Sequence, residues 1–247
     1  MLLDDNKYYG SVRTFYRILK SADQVRPAKR RKQSRPPERT ATRFDQVWCW
    51  DVTWLPGLIK GLFFYAYMII DIYDRFIVGW AVYEEEKDEH SEELFKSILC
   101  GRKIKFSYLH SDNGSIMKGL TLMALLSELK IGVSFSRPRT SNDNPYIESF
   151  FKTLKYDPKY PLRFRDINHA REWMADFVNW YNNDHLHSSV DYVTPAQMRS
   201  GEAKTIFTKR NAVMAEAKNL NPERWGKRNM KIWGAPEKVV LNPEIKQ

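Results

Sequence analysis

Apolar and polar positions alternate strictly over residues 48–54, the first strongly patterned stretch of the chain. Three tryptophans and Val52 occupy one parity of this stretch, while Cys49, Asp51 and Thr53 occupy the other. A repeat of two residues is typical of a β-strand, because successive side chains of a strand point to opposite faces of the sheet. The pattern therefore predicts a strand that buries its tryptophan face.

Residues 62–73 and 75–84 predict two more strands, which are rich in β-branched and aromatic residues and are separated by a tight turn. The three strands are expected to form an antiparallel meander. Helical and extended patterns then alternate: a helix at 87–101, a strand at 105–110, a helix at 116–130 and a strand at 132–136. This order predicts an α/β fold with a mixed sheet covered by helices.

Both ends of the chain are basic. Residues 11–20 predict a short amphipathic helix with a basic face, and residues 26–43 hold eight Lys or Arg, three Pro and almost nothing apolar. A basic face and a basic linker can each bind DNA phosphates, whereas a solvated helix face and a plain spacer are the alternatives. The candidate DNA contacts here are Arg13, Arg17, Arg30 and Arg31.

Composition supports a polyanionic partner. The 247 residues include 40 Lys or Arg and 30 Asp or Glu, a net charge of +10, which favours nucleic acid over a small acidic molecule, with a membrane surface as the weaker alternative. The longest apolar run, 62–70, is too short to span a bilayer, and no secretory signal precedes it. Two cysteines, Cys49 and Cys100, form neither a disulfide framework nor a zinc cluster, so we expect a reducing cytoplasm and no membrane partner.

Three carboxylates are the candidate chemistry. Asp51 lies in the middle of the first strand, opposite the tryptophans, where an unpaired charge is costly. Asp112 follows a predicted strand in the sequence HSDNGS, although turn chemistry alone explains an isolated Asp-Asn-Gly. Glu148 comes 36 positions later, in the first turn of a helix that Asn144 can cap and Pro145 can begin.

Several cations surround Glu148 in the sequence. A favourable interaction of Glu148 with the helix N-terminus, or a weak salt bridge to Lys152, is the purely structural explanation for its position. Asp143 is the nearest rival to Glu148, as a helix-start residue. The neighbouring cations that could hold phosphates are Arg137, Arg139, Lys152 and Lys155.

Three of these stretches together resemble a known family. WCWDVTWL, LHSDNG and SRPRTSNDNPYIESFFKTLKY, with 35 residues between the second Asp and the Glu, resemble the D,D-35-E core of retroviral integrases and bacterial insertion-sequence transposases. IIDIYDRFIVGW, FVNWYNNDHLHSSV and VTPAQ resemble the transposase branch. The resemblance covers residues 11–194 and implies a ribonuclease-H-like fold in which Asp51, Asp112 and Glu148 hold two divalent ions, Mg²⁺ with Mn²⁺ as a substitute.

The resemblance also implies a function. Such a transposase nicks DNA at transposon ends and uses the freed 3′ hydroxyl to attack target DNA, as a homo-oligomer on DNA in the bacterial cytoplasm at the nucleoid. Lys155, seven positions after Glu148, matches a family DNA contact. An inactive relic that only binds DNA and a ribonuclease-H-like nuclease are the alternatives.

The resemblance also divides the chain. Residues 1–22 are expected to be a partial helix-turn-helix-like element, 23–43 a basic linker, 44–200 the catalytic core and 201–247 a basic tail. The tail is expected to be helical to about residue 220 and then extended, as a clamp on DNA or on a second protomer.

Other polar residues are weaker candidates. Asp71 and Asp74 flank a turn and are expected at the turn or sheet edge, with Asp71 as a reserve ligand. His185 and His187 are spaced poorly for zinc and are expected to pack. His110 precedes the second Asp and is expected only to orient it.

Overall fold

The computed structural model of the chain describes residues 10–22, 36–99, 106–114, 116–137 and 143–243. These residues fall into two units, the first within Met1–Ser34 and the second within Arg35–Gln247. The first unit contains the helix α1, Val12–Ser21, whose first turn is capped by the side chain of Ser11 as its sequence predicts.

A five-stranded mixed sheet organises the second unit. In spatial order its strands are β4, β3, β2, β5 and β6; β2, β3 and β4 form the predicted antiparallel meander, and β5 and β6 run parallel to β2. The strands are β1 (Arg39–Ala41), β2 (Val47–Pro56), β3 (Phe63–Asp71), β4 (Ile77–Tyr83), β5 (Tyr108–Ser111), β6 (Gly132–Phe135) and β7 (Val239–Leu241). The prediction of a mixed α/β sheet is confirmed.

The described part of the second unit contains the α-helices α2 (Asp88–Leu99), α3 (Leu120–Glu128), α4 (Pro145–Lys155), α5 (Ile167–Asn183), α6 (Pro195–Ser200) and α7 (Ala203–Leu220). Within the residues described, none of the helices is both long and apolar enough to cross a bilayer.

The helix predicted at 116–130 is interrupted. A 3₁₀ turn at Ile116–Lys118 precedes Gly119, and α3 begins only after that glycine. Gly119 has ψ 132°, which is not helical, and a Cβ atom there would lie 2.5 Å from the Cβ of Asp88. The close approach of α2 therefore explains both the glycine and the break.

Helices cover both faces of the sheet. Trp48 and Trp50 pack with residues of α2 and α3, whereas Cys49 and Leu55 pack with residues of α4 and α5. The prediction that β2 buries only its tryptophan face was therefore wrong, because the sheet is the middle of three layers. Trp54, predicted on the buried face, is 52% exposed.

The C-terminal residues return to the rest of the second unit. β7 pairs with β1 in a two-stranded antiparallel sheet, and Val239 and Leu241 are buried in the cluster that contains Cys49 and Leu55. The hydroxyl of Tyr146, on α4, donates to the carbonyl of Val240 at 2.8 Å. The chain after α7 thus supports the same face of the sheet that carries α4.

Candidate active site

Asp51 and Asp112 lie side by side on neighbouring parallel strands. β2 and β5 are paired so that Trp50 is level with Ser111, and each aspartate is the next residue along its strand direction. Neighbouring strands are ~4.8 Å apart, so the two backbones are adjacent at this point. Asp51 is two positions after Cys49 on β2, so the two side chains point to the same face of the sheet, the face that α4 covers.

Glu148 approaches the two aspartates from α4. This helix packs against β2, and it places Ile147, Phe150 and Leu154 in the core. Glu148 lies in its first turn, half-buried beside that apolar face. The amphipathic pattern of α4 therefore fixes the carboxylate at the edge of the core.

The pKa values indicate that the three carboxylates share one electrostatic site. Burial, the charge of Asp112 and smaller contributions from Glu148 and Glu86 together raise the pKa of Asp51 to about 7, against the hydrogen bond from the N–H of Val52, which lowers it. Burial and Asp112 also raise the pKa of Glu148, which Lys152 opposes. Like charges held this close favour the binding of a proton or a cation.

The donor chemistry fits a hard divalent cation. Carboxylate oxygens are the ligands that Mg²⁺ prefers, and the mutual repulsion of the three groups is what a bound cation relieves. Yet no three His, Cys, Asp or Glu side chains in the described ranges form a ready metal cluster. One oxygen of Asp51 accepts from the N–H of Val52 at 2.8 Å, and one of Asp112 accepts from Ser136 at 2.8 Å.

Three buried polar residues, His110, Ser134 and Ser136, form a hydrogen-bonded chain that ends at Asp112. His110 lies between Ser134, 2.7 Å from Nδ1, and Ser136, 3.4 Å from Nε2. Burial lowers the pKa of His110 to about 4, so its ring is neutral at pH 7. The sequence points to His110 for the orienting role, but Ser136 makes the direct contact with Asp112. The spacing of Ser134 and Ser136, two positions apart in the predicted strand 132–136, was the available signal.

Two of the candidate phosphate contacts lie on α4. Lys152 and Lys155 are exposed and share a face with Glu148. The structure has no ion pair between Glu148 and Lys152 among its described residues, so the salt-bridge explanation for Glu148 finds no support there.

Arg137 forms an ion pair with Asp143. Its guanidinium donates to both oxygens of Asp143, from Nε at 2.9 Å and from Nη2 at 2.8 Å, and these bonds lower the pKa of Asp143. Arg137 stays a predicted DNA contact, but its Nε and Nη2 groups already donate to Asp143. Asp143 lies in this pair, so we do not place it beside Asp51 and Asp112.

The predicted cap of α4 was wrong in one respect. Asn144 occupies the N-cap position, but its side chain makes no capping bond, and its amide atoms are buried without a partner among the described residues. Its backbone (φ −125°, ψ 57°) differs from the extended conformation that capping side chains require. Pro145 does begin the helix.

The remaining candidate DNA contacts divide into two groups. Arg13 and Arg17 are exposed on α1, whereas Arg30, Arg31 and Arg139 lie outside the described residues. These five stay predictions.

Asp71 ends β3 and Asp74 lies in the turn before β4, so both are turn residues as expected. Both side chains are fully buried and are bound by Arg199 of α6, which also reaches Asp45. Asp71, the reserve ligand, thus has a structural partner in place of a metal. The sequence offers no sign of this pair because Arg199 is distant along the chain.

His185 and His187 pack as expected. Their rings lie against Tyr181, and burial lowers the pKa of both, that of His187 to about 4.

Comparison with known families gives two overlapping matches. The Integrase core domain model matches residues 41–141, and a second model of the same description matches residues 129–195. Together they span more than half of the chain and include Asp51, Asp112 and Glu148.

Bacterial transposases are similar in sequence. The transposase for insertion sequence element IS904 of Lactococcus lactis is 30% identical over 158 residues, 63% of this chain and 61% of that protein. The transposase for IS629 of Shigella sonnei is 27% identical over 157 residues, 64% of this chain and 52% of that protein. The match thus spans less than two thirds of the length of either relative.

A solved structure supports the fold. A chain of the simian T-cell lymphotropic virus intasome, in complex with a PP2A regulatory subunit, matches with a TM-score of 0.53 at 14% identity. The match covers 77% of this chain and 67% of that one.

Proposed function

The chain belongs to the integrase core domain family, and from this premise we propose that it is a DDE-type transposase that cuts and joins DNA strands. The observation that supports the proposal is that Asp112 and Glu148 both raise the pKa of Asp51, and Asp112 also raises the pKa of Glu148. The exposed cations on α4 and the net charge of +10 support a DNA substrate.

The three carboxylates would hold the divalent cations. When bound, two Mg²⁺ ions, or Mn²⁺ in their place, supply Lewis-acid stabilisation to the attacking and leaving oxygens of a phosphodiester. Asp51, with its pKa near 7, holds a proton at low pH and becomes free to act as a ligand as the pH rises. Lys152 and Lys155 bind backbone phosphates on the same side of α4.

Two reactions of the same type follow at this site. In the first, water forms a bond to phosphorus at a transposon end, the bond to the 3′ oxygen breaks, and a 3′ hydroxyl is released. In the second, this hydroxyl attacks a phosphodiester of target DNA, forms the new strand junction, and releases a 3′ hydroxyl of the target. Both steps require the DNA to be held in line with the carboxylates.

We place this activity in the bacterial cytoplasm at the nucleoid, from the bacterial origin of the relatives. Because the two ends of one element must both be cut, the acting form is expected to be a homo-oligomer assembled on DNA.

The experiment compares purified variants on duplexes that carry the ends of the encoding element, with Mg²⁺ or Mn²⁺ present. Asp51→Asn, Asp112→Asn and Glu148→Gln should each lose nicked and joined products while retaining DNA binding, because each removes a ligand charge and preserves size. Asp176→Asn, at an exposed carboxylate of α5, is the matched control and should keep full activity.

The products separate the alternatives. Nicked products without joined ones would indicate a nuclease, and DNA binding without either would indicate an inactive relic. Full activity in any of the three site variants would remove that residue from the site.

A further inference from the structure

Ser136 is held against Asp112 by the backbone as well as by its side chain. Ser111 and Phe135 are level in the β5–β6 pair, so Asp112 and Ser136 each come one residue later. The N–H of Ser136 donates to the carbonyl of Ser111 at 2.9 Å, and the Ser136 hydroxyl donates to Oδ1 of Asp112 at 2.8 Å. Ser136 is only 4% exposed, so water does not compete freely for this bond.

The bonds behind Ser136 have a defined direction. A serine hydroxyl carries one proton, and Ser136 gives its proton to Asp112, so its oxygen can only accept from His110. Nε2 of His110 therefore carries the proton of the ring, and Nδ1 accepts from Ser134 at 2.7 Å. The bond from Nε2 to Ser136 is long, at 3.4 Å, so it contributes less than the other two.

We propose that Ser136 is a positioning residue for Asp112: together with His110 and Ser134 it fixes one carboxylate oxygen and leaves Oδ2 directed for a divalent cation. This inference rests on the proposed function, because it assigns the free oxygen to the metal site. Hydrogen-bond donors to ligand carboxylates restrict their orientation and so favour binding of the ion.

The test is calorimetric titration of the full chain with Mn²⁺ in the absence of DNA, alongside thermal unfolding. Ser136→Ala should weaken Mn²⁺ binding by ~10–100-fold with little change in unfolding temperature. Ser134→Ala should have a smaller effect, because the bond to Asp112 remains. Ser111→Ala is the matched control: Ser111 is buried on β5 beside Asp112, its hydroxyl has no hydrogen-bond partner among the described residues, and its removal should leave affinity unchanged.

Three results would overturn the inference, and only one of them also overturns the proposed metal site. If wild-type protein binds Mn²⁺ and Asp112→Asn abolishes binding, but Ser136→Ala binds like the wild type, the positioning role is wrong and the proposed function stands. If wild-type protein binds no Mn²⁺, the proposed metal site and this inference are both wrong. Equal losses in Ser136→Ala and Ser111→Ala would also overturn it, since the hydrogen bond would then be irrelevant.

Discussion

Nε of Arg199 donates to Oδ2 of Asp74 at 2.7 Å, although the two residues are 125 positions apart in the sequence. Nη2 of the same guanidinium lies 3.2 Å from Asp71 and 3.4 Å from Asp45. The ring of Phe76 lies against its face, with the guanidinium carbon 4.4 Å from the ring centroid. The side chain of Arg199 therefore connects α6 to the turn that follows β3.

Replacing this cation should destabilise the second unit strongly. Arg199→Met leaves Asp71 and Asp74 buried without their partner, and removing one member of a buried ion pair costs ~3–5 kcal/mol of the free energy of unfolding. Urea unfolding measures the loss. Lys209→Met, at an exposed position of α7, is the control and should change stability by less than ~0.5 kcal/mol. Similar losses in both variants would show that the buried pair contributes nothing specific.

Asp51→Asn should stabilise the metal-free protein, and only at high pH. The pKa of Asp51 is raised to about 7 in the folded state, above its unfolded value near ~3.9, so the folded state binds the proton more tightly. Stability contributed by the protonated form is therefore complete below the unfolded pKa and is lost as the pH rises towards 7.

Thermal unfolding in EDTA at pH 4 and pH 8 checks this prediction. Asp51→Asn should unfold several degrees higher than the wild type at pH 8 and at nearly the same temperature at pH 4. Asp176→Asn should match the wild type at both. A gain of the same size at both pH values would mean that the charge of Asp51 is not the cause.

The sequence predicts local features of the site well and distant ones poorly. The strand of Asp51 and the helix of Glu148 follow from short periodic patterns, because residues two or three to four positions apart share a face. The parallel pairing that brings Asp112 beside Asp51 depends on how residues far apart in the chain meet. Arg199 and its carboxylates are the extreme case, since no periodicity connects them.

Gly119 and the two serines near Asp112 could be predicted only in part from the sequence. Gly119 could have been expected to interrupt the helix at 116–130, because glycine is a poor helix former. Its actual reason, the approach of Asp88, is visible only in the packing. Likewise, Ser134 on β6 and Ser136 directly after it are visible in the sequence as two serines of one parity, but their bonds to His110 and Asp112 require the β5–β6 register.

Removing Met1–Ser34 should weaken binding to all DNA sequences and flatten its salt dependence. This segment holds nine Lys or Arg and three Asp, and each cation that neutralises a phosphate adds to the slope of log K against log salt. The cut must stop before Arg39, because β1 pairs with β7 and Ala41 is buried in the core. Fluorescence anisotropy at several salt concentrations measures the slope, which should fall by ~2 or more.

A truncation at residue 43 is the comparison for this experiment. It should unfold at lower temperature because it also removes β1, whereas the shorter truncation should unfold like the intact chain. If the salt slope is unchanged by the shorter truncation, the basic segment is a spacer and makes no phosphate contact.

Lys155 should act on DNA and leave the fold unaffected, because it is exposed on the face of α4 that carries Glu148. Lys155→Ala should lower joining activity and reduce the salt slope of DNA binding by ~1, the loss of one phosphate contact. Lys155→Glu should reduce both further, since it places a negative charge against the backbone. The free energy of unfolding, from thermal denaturation, should change by less than ~0.5 kcal/mol in either variant.

The opposite face of the same helix provides the contrast. Phe150, at 2% exposure, is the buried ring of this face, and Phe151 is only half-buried. Phe150→Ala should lose ~3–5 kcal/mol of stability, and Phe151→Ala should lose less. A Lys155→Ala protein that unfolds early and still joins DNA normally would show that the basic face of α4 is structural, and Glu148 would then need another reason to lie among cations.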